Sequence, residues 1–302
     1  MRAMNDLPDI LETREPVRVA TGFIFTEGPL WHPDDFWYFV DIRQNKLMRL
    51  KIGHTPELVR STVGGNGNTF DLAGRLINCE GDAHRVTRTH ADGTVEAIAS
   101  TYGGGRLNRP NDVVCHSNGC LYFTDPDKRI PYHEREIPGR EGVDNLWDGA
   151  AVYRITPSGD LGQLALCEYP NGLAFSPDER TLYVANTRSS KYIHTIKLDA
   201  SGKMTGRAIF ADMNEDLGPG IPDGLKVDQA GRVYCTGPGG IWVFNPDGTR
   251  VGIIKWPEQA VNFAFGGPDL KTLFCCAHTS VYALRVKVPG HAHPWYRMKG
   301  IG

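Results

Sequence analysis

The chain has 302 residues, with 33 Lys and Arg against 35 Asp and Glu, giving a net charge of −2 and a pI near 6.5. No basic run is long enough to follow a phosphate backbone, so a nucleic-acid partner is excluded, as is an anionic membrane surface. No apolar stretch approaches the roughly 20 residues that span a bilayer, and hydrophobic and charged contents of 40% and 23% are those of a soluble globular protein.

The first 16 residues, MRAMNDLPDILETREP, lack the basic flank and apolar run of a secretory signal. Seven cysteines in no metal or redox spacing read as reduced thiols, and the cytoplasm is the expected compartment. Thirty-five Gly and 20 Pro imply many tight turns between short strands.

In chain order, PVRVATGF (16–23) reads as an isolated strand, and EGPLWHPDDFWYFVD from Glu27 as a hairpin turning at Pro-Asp. KLMRLKI (46–52) follows as a further strand. A looser hairpin, NTFDLAGRLINCE, begins at Asn68 and is followed by the strand pair HRVTRTHADGTVEAIA (84–99). PNDVVCHSNGCLYFTD from Pro110 precedes AVYRITPSGDLGQLA (151–165). PNGLAFSPDERTLYVAN (170–186), PDGLKVDQAGRVYCTG from Pro222 with GIWVFNPDGTRVGII (240–254), and VNFAFGGPDLKTLFCCA from Val261 complete the series.

One hairpin therefore recurs six times, led by Glu27, Asn68, Asn111, Asn171, Asp223 and Asn262, at intervals of roughly 40 to 60 residues that each hold about four strands. Such repetition predicts an all-β, six-bladed β-propeller with four-stranded blades. The last unit is one strand short, and 16–23 is expected to close the ring. Residues 1–302 then form one domain, with 1–15 an N-terminal extension and 287–302 a C-terminal tail.

In a propeller the first strand of each blade lines the central channel, so all six lead residues converge on one mouth. Every one carries a carboxylate or carboxamide oxygen, where turn formation alone would also have drawn Gly, Ser and Pro. Two carboxylates in a low-dielectric channel repel one another unless a cation lies between them. Glu27 and Asp223 would neutralise a divalent ion and Asn171 would add a neutral oxygen, a hard donor set. Coordination positions left open for water and substrate are the equipment of a hydrolase.

The segments TEGPLWHP, RPNDVV, LYFTDP, PNGLAFSPDERTLYVAN, PDGLKVD and FGGPDLKTL resemble those of the SMP-30/gluconolactonase/LRE-like family, from about residue 20 to 286. The resemblance implies a six-bladed propeller with one divalent metal that hydrolyses a sugar lactone. It places the family's metal-binding Glu, Asn and Asp at Glu27, Asn171 and Asp223, and its substrate-side Arg and Asn at Arg109 and Asn111. The implied reaction opens the ring of an aldonolactone, such as a glucono- or xylonolactone, with Asp223 as candidate general base and Glu27 beside it. The metal is left open among calcium, magnesium, manganese, zinc and iron(II). An organophosphate or other ester hydrolase of the same propeller type, or a non-catalytic metal-stabilised propeller, are the alternatives.

Asn68 and Asn262 stand evenly between substrate contact and strand capping. The longest interval contains a charged insertion (125–150), in which Tyr132, His133 and Trp147 are candidate substrate contacts. Glu80, Asp125 and Asn186 return to the lead face at the ends of second strands, and Asp112 points away from Asn111 by strand alternation. Neither HExxH nor GxSxG occurs, so zinc-protease and serine-esterase readings fail. His278 reads as a structural histidine near the same face. The partner is a small sugar lactone, and the protein is expected to be a monomer or small homo-oligomer.

Overall fold

The computed structural model describes residues 5–126, 149–188, 190–216 and 218–302. Six four-stranded antiparallel sheets follow one another, five of them built from consecutive strands. Their first strands are Thr26–His32, Gly65–Phe70, Val113–Cys115, Pro170–Phe175, Leu225–Val227 and Asn262–Gly266. Each of these contacts the first strand of the blade on either side, and the sixth meets the first, so they surround a central channel. The architecture is an all-β, six-bladed propeller. In the sixth sheet, Val17–Thr21 pairs antiparallel with Ser280–Arg285. A two-stranded hairpin, Thr101–Tyr102 with Gly105–Arg106, leads into the third blade and has no counterpart in the repeat.

The sheets are held face to face by apolar side chains alternating along the strands, as a period of two requires. Trp37 of the first blade stacks on Phe274 of the sixth at 4.6 Å, and Ala174, Leu225 and Trp242 share a buried cluster between the fourth and fifth. All seven cysteines are buried and unbridged. Among the described residues no helix is long and apolar enough to cross a membrane.

Both terminal segments are docked on the ring. Leu11 bridges to Val286, and Ile10 and Leu11 are buried beside the fifth and sixth blades. Beyond Val286 the chain turns across the mouth opposite the lead residues. Gly290 N donates to Leu270 O, His291 N donates to Val227 O, and the short helix Pro294–Met298 follows. Tyr296 donates its hydroxyl to Trp31 O, and Arg297 donates to Glu179. The residues expected as a tail are therefore a plug. Above it lies a cavity of about 130 Å³ with a largely apolar lining that includes Leu30, Val114, Phe175, Phe265 and Ala292.

Candidate active site

At the lead mouth four of the six first strands start with a lead residue followed by glycine, because the next blade's backbone presses against it. A Cβ on Gly172 would lie 2.1 Å from Asp223 O, and one on Gly28 would lie 2.1 Å from Asn66 O. Only glycine accommodates so close an approach, and Gly28 also has a φ of 55°. The Gly67, Gly172 and Gly224 amides donate to the carbonyls of Asn111, Asp223 and Val261. These bonds, with the pairing registers, define which residue leads each blade.

The ring is Glu27, Asn66, Asn111, Asn171, Asp223 and Val261, which differs from the sequence reading at two blades. Between the lead and the first regularly paired residue the register shifts, at Glu27 to Leu30 in the first blade and Gly65 to Asn68 in the second. Asn68 therefore stands two places beyond the lead. Its Nδ2 donates to Gly28 O at 2.7 Å and its Oδ1 accepts from Asn78 at 2.9 Å, tying two blades together. Asn262 takes the place that glycine occupies in four other blades, and the apolar Val261 leads the sixth blade.

Glu27 is buried, and its Oε2 accepts from Gly28 N at 2.6 Å and from Asn262 Nδ2 at 2.8 Å. Burial pushes its pKa up to about 7, Asp112 pushes the same way, and the Gly28 and Asn262 bonds and Lys226 oppose them. Asp223 keeps partial exposure, yet the surrounding protein strips its carboxylate of solvation and, with Glu27 and Asp112 nearby, raises its pKa well above the usual range. Lys226 does not offset the two carboxyls, and a further opposite charge would lower both.

Asn171 is held from below. Its Nδ2 donates to Thr187 Oγ1 at 3.0 Å, and that hydroxyl donates to Pro222 O at 2.8 Å. With the amide oriented in this way, Asn171 Oδ1 is buried with no hydrogen-bond partner among the described residues, as is Asn66 Oδ1. A buried acceptor without a donor costs about 1–3 kcal/mol unless something electropositive meets it. Two desolvated carboxyls and an orphaned amide oxygen suit a hard divalent cation, so Glu27, Asn171 and Asp223 fit the metal that the sequence implies. No cluster of three His, Cys, Asp or Glu arranged for a metal exists among the described residues, and this donor set contains only two such residues.

Arg109 and Asn111 are partly exposed on the loop entering the third blade. Arg109 pairs with Asp82 at 3.1 Å. The residues that end the second strands anchor loops: Asp125 accepts from the Asn108 and Arg109 amides, and Asn186 from Tyr169 N. Asp41 repeats the device on Ile24 and Phe25. Glu80 is clamped by Arg60 and Arg85. His278 packs against Phe25 at 5.0 Å, with its pKa lowered by burial. Tyr132, His133 and Trp147 lie outside the described residues. Asn66, Thr187 and Lys226 belong to the site although the sequence reading did not select them. Fixing each lead by the glycine after it would have found Asn66.

A propeller with a polar, carboxylate-bearing channel mouth defines a class, and comparison with known proteins narrows it. The profile of the SMP-30/gluconolactonase/LRE-like region matches residues 25–279, and the chain belongs to this family. It is 30% identical to a gluconolactonase of Zymomonas mobilis, covering 94% of this chain and 85% of that protein. It is 29% identical to a pentonolactonase of Haloferax volcanii, over 85% and 82% of the two chains. The structure of a gluconolactonase from Xanthomonas campestris superposes with a TM-score of 0.83 at 30% identity, covering 94% of this chain and 93% of that one.

Proposed function

We propose that this protein is a metal-dependent lactonase that opens an aldonolactone, such as a glucono- or xylonolactone, to the aldonic acid. The observation that carries the reading is the orphaned Asn171 Oδ1 beside the Glu27 and Asp223 carboxyls. Relatives matched over most of their length that are gluconolactonases or a pentonolactonase support the substrate class. On this reading Glu27, Asn171 and Asp223 hold one divalent ion from among calcium, magnesium, manganese, zinc and iron(II). When bound, that ion supplies a Lewis acid for the ester carbonyl.

The protein's own groups do the rest. Asp223, with partial exposure at the mouth, takes a proton from the attacking water. Glu27 is kept from rotating by Asn262 and Gly28, and Thr187 fixes which end of the Asn171 amide faces the site. Arg109 and Asn111 orient the sugar hydroxyls and the ester at the rim. The same reading takes residues 1–302 as one domain whose ring is clasped by the strand Val17–Thr21.

The test is a pH-indicator assay of acid release from D-glucono-1,5-lactone and D-xylono-1,4-lactone, with each of the five ions restored to EDTA-stripped protein. Release above the spontaneous rate that requires an ion is the expected result. Arg109→Ala should lose turnover while retaining metal. Confirmed metal uptake with no release from either lactone overturns the substrate assignment.

A further inference from the structure

Lys226 is a lysine set inside the channel, where a cation disfavours the very ion that Glu27 and Asp223 are suited to hold. It follows Asp223 by three residues on the first strand of the fifth blade, with its side chain only partly exposed. Its Nζ donates to Leu225 O at 2.9 Å and lies 3.6 Å from Asp112 Oδ2. Asp112 belongs to the third blade, so the pair reaches between non-adjacent blades. Asp112 is buried, its Oδ1 accepts from Val113 N at 2.9 Å, and its Oδ2 has no hydrogen-bond partner among the described residues.

Asp112 also occupies an unusual place in the repeat. It follows the lead residue, where the first, second, fourth and fifth blades carry glycine. A carboxylate one residue from the lead ring adds a negative charge beside it, and Lys226, three residues after Asp223 and 3.6 Å from that carboxylate, adds a positive one. Glu27 and Asp223 bring two negative charges to the mouth, while Asp112 and Lys226 together bring none. The balance left over is the charge that one divalent ion cancels.

We propose that Asp112 and Lys226 form a charge-setting pair beneath the lead ring that tunes its affinity for a divalent cation. They are positioning residues, acting through the field at Glu27 and Asp223. The inference rests on the metal site proposed above. It predicts shifts of opposite sign, which a purely structural pair would not give. Lys226→Met leaves Asp112 uncompensated and tightens binding, whereas Asp112→Asn leaves the ammonium uncompensated and weakens it, each on the order of tenfold for a unit charge at a partly buried site. The double variant returns toward the parent. Asparagine is sterically acceptable at position 112 because Asn262 fills the equivalent place in the sixth blade.

The experiment is titration calorimetry of calcium and manganese into the EDTA-stripped full chain, for the parent, Lys226→Met, Lys226→Arg, Asp112→Asn and the double variant. Lys226→Arg should bind within about twofold of the parent, since its charge is kept. Unchanged dissociation constants, or shifts of the same sign in the two single variants, overturn the proposal while leaving the metal site standing. A parent that binds neither ion overturns both. If Asp112→Asn does not fold, Lys226→Met against Lys226→Arg decides the matter alone.

Discussion

The two mouths of the channel are built on opposite principles. At the lead mouth, Asn66 Oδ1 and Asn171 Oδ1 have no hydrogen-bond partner among the described residues, and Glu27 and Asp223 have raised pKa values. At the plugged mouth several polar groups are paired. His293 Nε2 lies 3.2 Å from Thr69 Oγ1, its Nδ1 accepts from Trp295 N, and Glu179 takes bonds from Arg297 and Ser117. Paired polar groups at one end and desolvated, unpaired oxygens at the other are a division expected where a site must bind something.

Removing charge from the lead mouth has the largest expected effect. Asp223→Asn should abolish metal binding and lower turnover on the order of 10³-fold, as losing several kcal/mol of electrophilic stabilisation implies, with an unchanged circular-dichroism spectrum. A comparable effect on folding is expected from Gly172→Ala, whose new methyl meets Asp223 O. It should cost about 3 kcal/mol of unfolding free energy in urea melts. A loss below about 1 kcal/mol would mean that the blades are free to separate there.

Acidity sharpens the contrast, because the two mouths respond in opposite directions. Glu27 has a folded pKa of about 7 against 4.5 when unfolded, so its contribution to stability is full below pH 4.5 and is lost as pH rises to 7. His293 is held neutral by burial with a pKa of about 3 against 6.5, so its contribution is full above pH 6.5 and is lost as pH falls toward 3. Melts of metal-stripped Glu27→Gln and His293→Gln against the parent should remove one slope each, up to about 1.4 kcal/mol per pH unit. Parallel curves for parent and variant would refute the corresponding assignment.

Much of this contrast was legible in the sequence, but only where the repeat speaks. Glu27, Asn111, Asn171 and Asp223 were located because a fixed hairpin follows each of them. Asn68 was placed two residues late because the register shift at the strand entrance hides the offset, and Asn262 one residue late because Asp112 and Asn262 replace the glycine that marks it. Lys226 carries no motif: its meaning depends on Asp112, which is more than a hundred residues away and joined to it only by closure of the ring. The plug is likewise invisible to a search for repeats. Its His-Ala-His-Pro-Trp-Tyr run has no periodicity, and its role follows from Trp31, Thr69 and Glu179, on three separate blades.

The pairing of Val17–Thr21 with Ser280–Arg285 bears on how the protein is made. Thr21 and Thr279 share a hydrogen bond across 258 residues, so at roughly 5–20 residues per second the first strand waits about 13–50 s on the ribosome for its partner. During that wait it is an unpaired strand, whose free backbone groups can recruit neighbouring chains. Its sequence, VRVAT, is only five residues long and carries Arg18, the length and charge that discourage such encounters until synthesis reaches the sixth blade.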